Sequence, residues 1–182
     1  MPLAWEIGGI LERGLQNVHV TLRHEKEIVI FVPLFEYATM TQTAPDHRSD
    51  FFDFQTLDTR WMDNDAYGHM NNVVHYSLID TAVTNWQRAR GFFDLTDVQF
   101  FVVESGCKYL AQAAYPDTIH LGLCVTHIGR TSWRYDVGLF RNDDDRAFAL
   151  GFFAQVQVDA KTQRPTPMGA LVLDHLKSVQ RR

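Results

Sequence analysis

The sequence predicts an α+β fold in which an antiparallel sheet curls around one long helix. Three observations carry that prediction. The stretch from residue 73 repeats its apolar residues every three to four positions, which is the period of a helix. The stretches after it change to a period of two, which is the period of strands. Short turns separate those strands, so they pair antiparallel rather than through long crossovers. The 182 residues suit one domain with a proper core.

The elements follow in chain order. "VHVTLRHEKEIVIFVPLFEYATM", residues 18–40, reads as two strands around the charged turn "RHEKE". "TQTAPDHRSD", residues 41–50, is polar, holds a proline and reads as a linker. Met40 stands just before it, so residues 1–50 read as an appendage, an extension upstream of the domain. "FFDFQTLDTRW" alternates around Phe52 and Phe54 and predicts the first strand of the core. In "VVHYSLIDTAVTNWQRARG", Val74, Leu78, Ala82 and Trp86 form a stripe that Tyr76, Ile79 and Val83 thicken. Asn71 or Asn72 is its natural N-cap and Gly91 its stop. A stripe this wide predicts a helix largely enclosed by other structure.

"VQFFVVES" is the next strand. "TIHLGLCVTHIG" points Ile119, Leu121, Leu123 and Val125 one way, and "TSWRYDVGLF" does the same with Trp133, Tyr135, Val137 and Leu139. After the turn "RNDDDR", the last strand aligns Phe148, Leu150, Phe152, Ala154, Val156 and Val158. The domain spans residues 51–170. The tail, residues 171–182, carries the end of a short helix that starts after Pro167.

Composition excludes several classes. A formal net charge of −5 argues against a general nucleic-acid binder, which would present a basic face. Cys107 and Cys124 lie in apolar stretches without CxxC spacing, so they read as free thiols in a reducing, cytoplasmic setting. The longest apolar run, residues 28–35, falls far short of the ~20 residues that span a bilayer. No G-x-S-x-G occurs, and Ser105 and Ser132 have no evident base. His69 and His75 stand six apart, not at the i, i+4 spacing of helical zinc ligands.

"DNDAYGHMNN", residues 63–72, crowds two carboxylates, a glycine, a histidine and two asparagines in front of the helix. A strand, then Arg60-Trp61-x-Asp63-x-Asp65-x-x-Gly68-His69-Met70-Asn71-Asn72, then a long helix resembles the hot-dog fold acyl-CoA thioesterases. More narrowly it resembles the 4-hydroxybenzoyl-CoA thioesterase-like branch, over roughly residues 51–168. "CKYLAQAAYPDTI" and "HIGRTSWRY" resemble two later segments of the same family.

The resemblance implies hydrolysis of a thioester to a free acid and coenzyme A. It calls for no cofactor and no metal, since coenzyme A arrives as part of the substrate. It assigns Asp65 as the catalytic carboxylate, acting as nucleophile or as general base for water. The amides around Asn71, Asn72 and Val73, at the positive end of the helix, would serve as oxyanion donors. Gly68 would allow close backbone approach.

Other residues carry two readings each. Asp65 also reads as a turn or capping residue. His69 reads equally as a donor to the substrate carbonyl and as a loop histidine bonded to backbone. Asp63 reads as structural, holding the loop or pairing with Arg60. Asp80 and Thr84 are a turn or more from the motif; Asp80 reads as a partner-facing catalytic group or as a solvated or interface residue. Lys108, Arg130 and Arg134 read as cations for the coenzyme A phosphates or, for any single one, as ordinary surface charge, with Arg130, beside Thr131, the first choice for the phosphates. Trp86, Phe92, Phe93 and Trp133 line an acyl pocket or simply fill the core.

The resemblance further implies a homodimer, or a dimer of dimers, paired edge to edge with active sites between subunits. The rival readings are an acyl-carrier-protein thioesterase, a hydratase or dehydratase of the same fold, and a non-catalytic acyl-CoA binder.

Overall fold

Two edge strands far apart in space are joined by a single helix, and this connection sets the architecture. The structure is a computed structural model that describes residues 47–181. The two-strand reading of residues 18–40 falls outside the described residues. Five strands form one antiparallel sheet: β1 (Asp53–Asp58), β2 (Val98–Tyr109), β3 (Thr118–Ile128), β4 (Ser132–Arg141) and β5 (Ala149–Asp159). Their spatial order is β1-β3-β4-β5-β2, so β1 and β2 are the two edges. The chain passes from one edge to the other through α1 (Asn72–Arg88). Seventeen residues make ~25 Å of helix, against ~19 Å for four inter-strand steps. The helix packs on one face of the sheet, against β3, β5 and β2.

The core fills the space between α1 and that face. Ile79, Ala82, Val83 and Trp86 of the helix are buried, as are Ile119, Leu121, Leu123 and Val125 of β3 and Trp133, Tyr135, Val137 and Leu139 of β4. Both strand faces match the alternation in the sequence. Trp86, Phe92 and Trp133 belong to this core, whereas Phe93 is exposed beneath the Arg88 guanidinium.

Two expectations need correction. On β5 the core-facing residues are Ala149, Gly151, Phe153, Gln155 and Gln157, while Leu150, Phe152, Ala154 and Val156 face out and are half-buried. The physical reason is the close approach of the helix. A Cβ on Gly151 would overlap Ile79 Cδ1, so only glycine fits there. Gln87 of α1 donates to Gln155 Oε1 and, at 3.3 Å, to Tyr135 Oη, which satisfies the polar groups brought inside. The strand expected around Phe54 is β1; Phe54 and the preceding Phe52 are exposed, and the buried aromatic is Phe51, just ahead of the strand. It lies against the outer face, where Gly138 leaves room; a Cβ there would stand 2.6 Å from Phe51 Cζ. Finally, α1 is not largely enclosed within the single chain: Asn72, Val73, Tyr76, Ser77 and Asp80 are exposed along one side.

The ends are tied to the sheet. His47 Nδ1 meets Asp145 Oδ2 at 2.7 Å, and the Arg48 guanidinium donates to the Asp144 and Asn142 carbonyls at 2.8 and 2.6 Å. The expected helix beyond Pro167 is α2 (Ala170–Ser178), which buries Val172 and Leu176 in the same core.

Candidate active site

The motif loop joins β1 to α1, and backbone bonds fold it back on itself. Asn64 and Met70 pair as an antiparallel bridge, which sets residue 65 across from 69 and residue 63 across from 71. The Asp65 amide donates to the His69 carbonyl at 2.7 Å. The Asp65 carboxylate then accepts from the Tyr67 amide at 2.8 Å and the His69 amide at 3.2 Å, both at Oδ1. Oδ2 has no hydrogen-bond partner among the described residues. Gly68 adopts φ +79, a left-handed conformation that closes this turn, and its surroundings are open. Asp65 and His69 are half-buried, and the His69 ring makes no hydrogen bond among the described residues.

Asp63 anchors the loop. It is buried, and its carboxylate accepts from the Arg60 amide at 2.7 Å and the Arg60 guanidinium at 2.8 Å. Burial alone would raise the Asp63 pKa. The hydrogen bonds from the Arg60 side chain and amide, with the guanidinium charge, outweigh it and hold the group below the usual carboxylate range. Asp63 thus takes the structural role. Its carbonyl also accepts the Asn71 amide at 2.8 Å.

Asn71 is the N-cap of α1. Its Oδ1 accepts from the Val73 amide at 3.1 Å and its carbonyl from the Val74 amide at 2.9 Å. Of the three amides considered as oxyanion donors, those of Asn71 and Val73 therefore already have partners. The Asn72 amide has none among the described residues and lies at the positive end of the helix.

Residues 110–117 form the rear wall of the loop. The Met70 amide donates to the Ala113 carbonyl at 2.7 Å, and the Tyr115 amide donates to Asn64 Oδ1 at 3.0 Å. These contacts give the "CKYLAQAAYPDTI" segment its place beside the motif. Sequence reasoning singled out neither Asn64 nor Ala113, because Ala113 acts through its backbone carbonyl and one more amide side chain in a polar loop carries no pattern.

The structure gathers Asp65, Gly68, His69, Asn71, Asn72 and Val73 at one end of the sheet. Arg130 and Thr131 stand at the other end of the same chain, in the turn between β3 and β4. Thr118, at the start of β3, pairs with Asp58 just before the motif loop, and eleven residues of β3 separate it from that turn, on the order of 35 Å. Arg134 is already engaged, with Asp136 at 3.1 Å and over the Phe152 ring at 3.7 Å. Lys108 and Asp80 are exposed. Among the described residues no three His, Cys, Asp or Glu side chains gather as a metal site, and no helix is long and apolar enough to cross a membrane.

The family model of the thioesterase-like superfamily matches residues 59–176. A solved protein of Pseudomonas aeruginosa strain PAO1 is 37% identical, covering 75% of this chain and 96% of its own, with a TM-score of 0.70. A thioesterase from Thermus thermophilus, solved with coenzyme A and Zn, is 22% identical with a TM-score of 0.62, covering 73% of this chain and 98% of its own. A 1,4-dihydroxy-2-naphthoyl-CoA thioesterase from Synechocystis shares 12% identity at a TM-score of 0.62, covering 68% and 94%. The last two likenesses are of fold. No curated protein matches the sequence.

Proposed function

The chain belongs to the thioesterase-like superfamily and has its hot-dog fold, and from that premise we propose that it hydrolyses acyl-CoA thioesters to a free acid and coenzyme A. One observation carries the reading. A carboxylate with an open oxygen, Asp65, and an unpartnered helix N-terminal amide, Asn72, stand on one short loop that the Asn64–Met70 bridge folds back on itself. Thioester hydrolysis needs those two groups together: one to attack the carbonyl or activate water, one to receive the negative charge that develops on its oxygen. Asp65 either forms a mixed anhydride or takes a proton from water. His69, with its ring uncommitted, stands ready to donate to the substrate carbonyl. The coenzyme A bound to the Thermus protein is consistent with this substrate class.

The working unit in this reading is a homodimer. β2 is an exposed edge strand of twelve residues. Antiparallel pairing of two β2 edges about a two-fold axis lays the Val98 end of one copy beside the Tyr109 end of the other. Within each chain, Phe100 pairs with Gln157, whose amide donates to the Thr131 carbonyl. The same pairing therefore brings the partner's Arg130–Thr131 turn to the end of the sheet that holds Asp65, where Arg130 would meet the coenzyme A phosphates. The free thiols of half-buried Cys107 and buried Cys124, pushed up by burial to about 11 and about 12, suit a reducing cytoplasm.

The test is release of free thiol from a panel of acyl-CoA esters. Wild type turns over at least one ester, and Asp65→Asn lowers kcat by at least ~10². Full turnover by Asp65→Asn overturns the assignment. Binding without turnover selects the non-catalytic reading.

A further inference from the structure

His75 sits where the helical stripe calls for hydrocarbon. It is buried, with its ring edge-on to Tyr109 at 4.9 Å and to Phe148 at 5.7 Å. Its Nδ1 lies 3.1 Å from the Asn71 carbonyl oxygen. A carbonyl only accepts, so Nδ1 carries the proton and Nε2 the lone pair. Burial pushes the ring pKa down and keeps the imidazole neutral.

The Asn71 carbonyl and the Asn72 N–H belong to one peptide group, which is planar. Whatever holds the oxygen holds the direction of the N–H. Two donors hold that oxygen, the Val74 amide at 2.9 Å and His75 at 3.1 Å. On the near side, the Asp63 carbonyl holds the Asn71 amide at 2.8 Å. Hydrogen bonding at the oxygen also polarises the peptide and strengthens its N–H as a donor.

We infer that His75 is a positioning residue: by donating to the Asn71 carbonyl it aims and polarises, through one peptide plane, the Asn72 N–H that receives the oxyanion. The inference rests on the acyl-CoA hydrolase reading of the site. His75 touches no reacting atom. Its part is to keep a donor fixed that the helix end alone would leave to fray.

Two variants separate this role from simple packing. His75→Phe keeps the ring between Tyr109 and Phe148 and removes the donor. His75→Asn loses volume but places an amide N–H close to where Nδ1 stood. With an acyl-CoA that the wild type hydrolyses, His75→Phe lowers kcat about tenfold or more with KM within about twofold, a share of the ~10²–10³ that a whole oxyanion donor supplies. His75→Asn keeps kcat within about threefold although it melts lower than His75→Phe. A packing role orders the variants by stability, which is the opposite order. Wild-type kcat in His75→Phe, or a larger loss in His75→Asn, overturns the inference. A second readout needs no turnover: residual dipolar couplings of the Asn72 N–H in the folded protein. They change in His75→Phe and match wild type in His75→Asn. Identical couplings in all three proteins overturn the positioning role even if the wild type hydrolyses no ester, a result that by itself would sink only the functional reading.

Discussion

Asp65 holds a turn with one carboxylate oxygen and, in the proposed reaction, serves the chemistry with the other. Oδ1 is spent on two loop amides, which fixes the carboxylate, and Oδ2 is left open. The motif's composition announced this cluster, because few turns need so many hydrogen-bonding side chains ahead of a helix. Which amide stays free was not legible, since it depends on Asn71 turning its side chain to Val73. Replacing Asn71 with Ala removes that cap and costs about 1 kcal/mol of stability, read as a lower midpoint in urea. The loop also carries a pH signature. His75 has a folded pKa below its ordinary 6.5, so the stability it contributes is complete above 6.5 and is lost as pH falls below that value toward the folded one. Asp63 has a folded pKa below its ordinary 3.8, so its contribution persists above 3.8 and is lost only in stronger acid, as pH falls through the folded value. Urea midpoints of wild type and His75→Phe therefore diverge in slope just below pH 6.5, with the variant flatter. Parallel curves would show that His75 does not titrate between the two states.

The packing of α1 on β5 is decided by one position without a side chain. Gly151→Ala puts a methyl into Ile79 and costs about 1–3 kcal/mol through overpacking. Ile79→Ala in the same chain makes room and recovers part of the loss, which a double-mutant cycle in urea measures. The faces of β3 and β4 were legible because their inward residues are apolar throughout. β5 was read backwards for a physical reason: its outward residues, Leu150, Phe152, Ala154 and Val156, are greasier than the inward set, which holds a glycine and two glutamines. Alternation reports contrast between faces, and here the contrast is inverted by the helix above Gly151 and by the polar pair of Gln87 and Gln155. The helix itself was plain from its period, but His75 and Gln87 inside its buried stripe were not.

At the scale of the assembled protein, the separation of Arg130 from Asp65 along β3 makes a clear prediction. Arg130→Ala raises KM for acyl-CoA and leaves kcat nearly unchanged. In the proposed dimer, chains carrying Asp65→Asn and chains carrying Arg130→Ala, co-expressed, form hybrids in which one of two sites has both residues intact. Such hybrids recover about half the wild-type activity at low substrate. If both residues served the same chain's site, every site would carry a lesion and no recovery would appear. The strand order has another outcome, for the chain as it leaves the ribosome. β2 has no neighbour until β5 exists, and their first rung, Tyr109 with Ala149, waits for about forty further residues. At ~5–20 residues per second that is a few seconds during which both backbone edges of β2 stand unpaired, beside Phe101, Val102 and Val103, which stay exposed in the finished chain. Slower translation past residue 109 would lengthen that window and raise the burden on chaperones, while the finished protein would be unchanged.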